Sequence, residues 1–135
     1  MKGILTRLAV AAALLAPAHA AAQDSQPERS SEPGSVAILR GLDKVTARTR
    51  DFEAPVGEEV RFGALAITVR YCRKRPPEEP PEVFAFLQVD DRRTDGFGEE
   101  IEGERIFSGW MFASNPALNP LEHPVYDVWV IDCRS

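Results

Sequence analysis

The chain is poor in several residue types, and each shortage closes off a class of function. It has two histidines in 135 residues, and one of them, His19, falls in the first twenty. That leaves His123 as the single imidazole of the remaining chain. One histidine, with no second Cys or His at ligand spacing from either thiol, is a poor transition-metal signal. Positive charge is also short. The formal net charge is −5, and an acidic protein lacks the basic footprint that nucleic acid or an anionic membrane requires. No Gly-x-Ser-x-Gly turn is present to carry a serine nucleophile. Beyond the first residues no apolar run approaches the ~20 residues needed to span a bilayer, and no internal repeat is found.

What is present begins with a leader-like N-terminus. Lys2 and Arg7 form a positive region, Leu8 to Ala16 an apolar stretch, and Ala18-His19-Ala20 a small-x-small cleavage site. This pattern predicts a signal peptide over 1–20, with cleavage after Ala20, or alternatively after Ala22. No Cys lies near the cleavage region, which argues against lipid modification. Loss of Lys2 and Arg7 with the leader takes the net charge from −5 to −7. The expected destination is the periplasm. Residues 21–35 are rich in Gln, Asp, Ser, Pro, Glu and Gly and cannot bury enough surface to offset their ordering entropy, so they read as a disordered linker. A single β-rich domain is expected over 36–135.

Export gives the cysteines their meaning. Cys72 and Cys133 are the sole candidates for a disulfide in an oxidising compartment, so pairing is unambiguous. Closing a loop of this length is worth about 4 kcal/mol in the chain-entropy account. The surrounding pattern reads as strands. Val36 to Leu42 and Lys44 to Phe52 alternate in part, and Val60 and Phe62 follow a turn at Ala54-Pro55-Val56-Gly57. In the next strand Leu65, Ile67, Val69 and Tyr71 share one face, with Thr68, Arg70 and Cys72 on the other. Val83-Phe84-Ala85-Phe86-Leu87 is apolar on both faces and predicts a strand in the middle of the fold. Arg105 to Phe112 and Val125 to Cys133 complete the set. The fold class expected is all-β, a compact antiparallel sandwich or small barrel of about seven short strands. At most one short helical turn is expected, at Asn115-Pro116-Ala117-Leu118.

Four groups of residues are candidates for chemistry or binding. Ser114, His123 and Asp127 are the residue types of a hydrolytic triad, which needs a nucleophile beside a base oriented by a carboxylate. The competing reading has His123 and Asp127 bonding to loop backbone that prolines cannot pair. Asp91, Asp95 and Glu102 match positions 1, 5 and 12 of a calcium loop, but Arg93 occupies position 3, where a carboxylate or amide belongs. The run Arg73-Lys74-Arg75-Pro76-Pro77-Glu78-Glu79-Pro80-Pro81 is expected to extend as polyproline II, either as a connector or as a docking segment for a partner. Finally, Trp110, Phe112, Tyr126 and Trp129 lie at strand positions that predict core packing over a sugar-stacking surface.

The domain resembles a bacterial family of exported proteins of unknown function, domain of unknown function 2155. The resemblance spans about Leu39 to Cys133. It rests on Leu42-Asp43-Lys44-Val45-Thr46, Ala54-Pro55-Val56-Gly57, Phe62-Gly63-Ala64-Leu65 and Cys72-Arg73-Lys74-Arg75-Pro76-Pro77. Further matches are Ala85-Phe86-Leu87, Gly109-Trp110-Met111-Phe112-Ala113-Ser114 and Glu122-His123-Pro124-Val125-Tyr126-Asp127-Val128-Trp129. It implies export and a shared domain, and no activity, substrate or cofactor. The expectation is a non-catalytic binding domain for a cell-envelope protein partner. The alternative is an envelope hydrolase or carbohydrate-binding domain centred on His123 and Asp127. No cofactor, nucleic acid or transmembrane segment is expected, and the oligomeric state is left open.

Overall fold

Alternating burial defines the strands of the computed structural model, which describes residues 31–101 and 103–135. The expected leader and the linker as far as residue 30 lie outside these residues, as does Glu102. Eight strands follow in order: β1 (Glu32–Pro33), β2 (Val36–Asp43), β3 (Arg48–Pro55), β4 (Glu59–Phe62), β5 (Leu65–Lys74), β6 (Val83–Asp91), β7 (Glu104–Phe112) and β8 (Tyr126–Arg134). All pairings are antiparallel. One sheet runs β1-β5-β6-β7, with β4 also paired to β5, and the other runs β3-β2-β8. The sheets do not close on each other, so of the two expected architectures the fold is the sandwich. No helix occurs among the described residues, and 115–118 form a turn. The ordered ladder begins ahead of Val36, because Glu32 and Pro33 pair with Lys74 and Arg73.

Inward positions of both sheets fill the core. Leu39, Leu65, Ile67, Val69, Leu87, Val89 and Val130 are fully buried, each contributing roughly 1.5–3 kcal/mol of burial free energy. The strand β6 follows a strict period of two, with Val83, Ala85, Leu87 and Val89 inside. Gly41 of β2 is needed where it stands, because the Phe62 ring lies directly against its backbone and any Cβ would collide with it.

Two β-bulges decide where the cysteines point. In β5 the register with β6 shifts between Val69 and Tyr71, so Arg70 is the extra residue. An extra residue reverses the alternation downstream. Tyr71, expected to share the inner face with Val69, instead turns outward and is 61% exposed, while Cys72 turns inward and is 2% exposed. In β8 the register with β2 passes from Val130 to Asp132, making Ile131 extra, and the same reversal brings Cys133 inside. Cys72 and Cys133 are thereby bonded across the two sheets with Cα atoms 5.9 Å apart, within the ordinary disulfide range.

The Pro-rich connection between β5 and β6 is not extended, contrary to the polyproline II expectation. The Glu79 amide donates to the Pro76 carbonyl (3.1 Å), and the Arg75 amide donates to the Glu82 carbonyl (3.0 Å). Pro77 therefore occupies the second position of a four-residue turn, where its fixed φ is preorganised. The loop folds back as the tip of the β5–β6 hairpin, and the Arg75 guanidinium meets Glu79 at 3.4 Å.

Candidate functional site

The C-terminal residues with triad chemistry are held apart by separate partners. His123, whose side chain is 7% exposed, accepts the Val125 and Tyr126 amides at Nδ1 (3.0 and 3.1 Å). Because Nδ1 accepts, the proton belongs on Nε2, which donates to Asp91 Oδ2 at 3.3 Å. The Tyr126 ring stacks on the imidazole, with centroids 5.3 Å apart. Asp127 pairs instead with Lys44 (3.1 Å), and the Lys44 ammonium also donates to the His123 carbonyl (2.7 Å). Ser114 sits at the other end of the long loop, where its hydroxyl and amide both donate to Glu82. Burial alone would push the Glu82 carboxyl up. Hydrogen bonds from Ser114 and Val83 and the charge of Arg75 outweigh it and hold the group below the ordinary carboxylate range. The imidazole thus organises the Pro124 corner, pairing two amides at the entry to β8.

Nor do the calcium-loop candidates converge. Asp91 lies inside the sandwich end, 5% exposed, with Oδ2 shared between His123 and Arg93 (2.9 Å). Its Oδ1 has no hydrogen-bond partner among the described residues. Asp95 builds a local turn, accepting the Phe97 and Glu99 amides (2.8 and 2.9 Å). Glu102 is outside the described residues. The cation that opposed calcium in the sequence, Arg93, is the one that neutralises Asp91.

The expected docking segment supplies its own partners. Arg73 donates to Ser31, Lys74 pairs with Asp132 (2.8 Å), and Arg75 pairs with Glu79. Hydrogen bonding from Lys74 is the main reason the Asp132 carboxyl lies below its ordinary range. Pro77, Pro80 and Pro81 are exposed and Pro76 is partly buried.

A surface that the sequence reading placed in the core is built beside this loop. Outward residues of the first sheet form two cross-strand rows: Tyr71, Phe86 and Trp110 in register across β5, β6 and β7, then Arg73, Phe84 and Phe112. Trp110 is 38% exposed, a correction to its expected core position. Its ring meets Phe86 edge-on (5.4 Å), lies tilted to Phe84 (5.8 Å) and stacks with Tyr71 (6.3 Å). Phe84 and Phe112 are 6.2 Å apart. Beyond the aromatics the face turns polar, with Arg70 bonded to Gln88 and Arg105 to Asp90. The signal in the sequence was the double-sided apolar run of β6. It announced a second apolar face, but not that this face is left uncovered. Trp129 projects from the opposite sheet beside Arg40 and is partly buried, and Tyr126 lies under the His123 corner.

Residues 37–133 match the family described as "Uncharacterized protein conserved in bacteria (DUF2155)". The chain is also 27% identical over 92 residues to uncharacterized protein RP359 of Rickettsia prowazekii (strain Madrid E). That alignment covers 68% of this chain and 56% of the relative, so the chain spans little more than half the relative's length. No solved structure matches.

Proposed function

The chain belongs to the DUF2155 family of bacterial proteins, and from that premise we propose that it is an exported, non-catalytic domain that docks a protein partner of the cell envelope. The observation that carries this reading is the aromatic face of β5, β6 and β7. Tyr71, Trp110 and their three phenylalanine neighbours leave contiguous apolar surface in water. Such a patch gains free energy when covered, and Tyr and Trp dominate the energetics of protein interfaces. The rings pack on one another, and Tyr71 stacks with Trp110. This favours a broad protein contact over a sugar laid on a free ring face. The exposed prolines at the tip of the β5–β6 hairpin, with Arg73 beside Phe84, extend the same surface.

The periplasmic destination rests on the leader pattern and on the cysteine pair, which an oxidising compartment would keep bonded. In this reading 1–20 is a signal peptide, the residues after it a linker, and the sandwich the working domain. Photo-crosslinking in the native envelope tests it. A benzophenone amino acid at position 71 is expected to give one discrete heteromeric adduct that disappears when Trp110→Ser and Phe86→Ser are added. The same probe at position 129 is expected to give none. Equal labelling from both positions, or an adduct indifferent to Trp110, would contradict the assignment.

A further inference from the structure

Among the described residues every lysine and arginine but two holds a polar partner. Arg40, Lys44, Arg61, Lys74, Arg75, Arg92, Arg93, Arg105 and Arg134 meet carboxylates, while Arg70 donates to Gln88 and Arg73 to Ser31. The exceptions, Arg48 and Arg50, are two residues apart on one face of β3, opposite Asp43 and Gly41 of β2. In a protein of net charge −5, two adjacent uncompensated cations run against the general balance. They also share a built cleft.

This cleft, of about 500 Å³, opens between the sheets at the β2–β3 hairpin and is lined by Thr46, Arg48, Arg50, Phe62, Gly63 and Tyr126 among others. Its volume falls within the range of small-molecule sites. Each wall is fixed. The Arg50 guanidinium lies 5.5 Å from the Phe62 centroid and 5.7 Å from that of Phe52, a cation–π placement that orients its N–H donors without using them. Phe52 and Phe62 stack at 5.4 Å, and Tyr126 meets Phe62 edge-on at 5.6 Å. Gly63, at φ +57°, lies so close to the Tyr126 ring that no other residue would fit there.

The hairpin carries strain at this lip. Asp43 accepts the Val45 and Thr46 amides (2.9 and 3.2 Å), which engages the Oδ1 atom of the one nearby carboxylate. Ala47 then adopts φ +56°, immediately before Arg48. A non-glycine residue in that region costs free energy and recurs at ligand clamps.

We propose that this cleft binds a small molecule bearing a carboxylate or phosphate on an aromatic or apolar body. Arg48 and Arg50 take the oxyanion, whose geometry suits paired guanidinium donors, and Phe62 and Tyr126 take the apolar part. The site is distinct from the aromatic sheet face and stands or falls separately.

Amide-resolved NMR titration of the full exported chain tests it, with phenyl phosphate and phenylacetate as probes and inorganic phosphate and benzyl alcohol as controls. Saturable shifts confined to the hairpin, Gly63 and Tyr126 are expected with at least one aromatic anion, and the stronger of the two identifies the head group. Arg48→Gln and Arg50→Gln should each weaken binding about tenfold, with an unchanged denaturation midpoint for Arg48→Gln, whose side chain is exposed, and a slightly lower one for Arg50→Gln, which loses its contact with the Phe52 and Phe62 rings. No saturable shift with either probe, or binding indifferent to both substitutions, would overturn the proposal. So would inorganic phosphate or benzyl alcohol binding as well as the aromatic anions.

Discussion

On the outer face of the first sheet, β5, β6 and β7 align Tyr71, Phe86 and Trp110 in one row and bring Phe84 against Phe112 in the next. On the outer face of the second sheet Arg40 faces Asp51 (2.6 Å), Arg134 faces Glu53 and Lys44 reaches Asp127. Both surfaces come from the same period-two alternation. One satisfies its charges internally and gains little from further contact. The other leaves apolar rings in water, where covering them is favourable. In the proposed function, this difference separates a face that ends the fold from a face that docks a partner.

Arg70 ties the aromatic face to the disulfide. The extra residue that turns Tyr71 outward is the same one that turns Cys72 inward. Cys72→Ala should give the largest effect, because it removes the cross-sheet bond that this bulge sets up and leaves Tyr71 facing outward. A loss of about 4 kcal/mol from the bridge alone is expected, read by chemical denaturation together with thiol labelling. A Cys72→Ala variant that keeps its full stability would contradict that role of the bulge.

Replacing the rings should separate binding from stability. Tyr71→Ser with Trp110→Ser is expected to weaken partner binding by about a hundredfold or more, as interface hot spots do. The same pair should lower folding stability by less than about 2 kcal/mol, the scale of cross-strand aromatic pairs. Trp129→Ser on the opposite face should leave binding untouched. A calorimetric titration with the crosslinked partner, beside denaturation of each variant, checks both halves.

Acid should act through the charges and leave the ring contribution alone. Hydrogen bonding from Arg40 holds Asp51 below the ordinary carboxylate range, and Lys74 and the Ser114 loop do the same for Asp132 and Glu82. Carboxyls depressed on folding contribute stability that is complete above their unfolded values, near about 4. That contribution is lost as pH falls through the lower folded values. Denaturation midpoints should be flat from neutral pH down to that range and then decline. The ring variants should shift the whole curve without changing its shape. Arg40→Gln, the smallest effect expected, should soften the decline and leave neutral-pH stability nearly unchanged, since exposed pairs contribute little.

The strands were legible because alternation is a local signal, and the cysteine pairing because the chain has two cysteines. All-β architecture follows from β2, β5, β6 and β8 read one at a time. A bulge, however, adds one residue to a ladder, and periodicity alone cannot reveal it. For that reason Tyr71 is expected beside Val69, whereas Trp110 is expected in the core because an apolar strand pattern does not tell which face is left uncovered. The His123 corner shows a second limit. Its residue types suggest catalysis, but the Val125 and Tyr126 amides that occupy Nδ1 are backbone groups that every sequence has. Arg48 and Arg50 left no mark at all, since an arginine without a partner is recognisable only when every other pairing is known.

The two tryptophans offer the most direct test of the aromatic face, because each reports one side of the sandwich. With 5-fluorotryptophan at both positions, the ¹⁹F spectrum should show two resolved signals, assigned through Trp110→Phe and Trp129→Phe. On titration with the crosslinked envelope partner, the Trp110 signal should shift or broaden saturably while the Trp129 signal stays in place. Movement of Trp129 alone, or no change in either signal at saturating partner, would contradict the account.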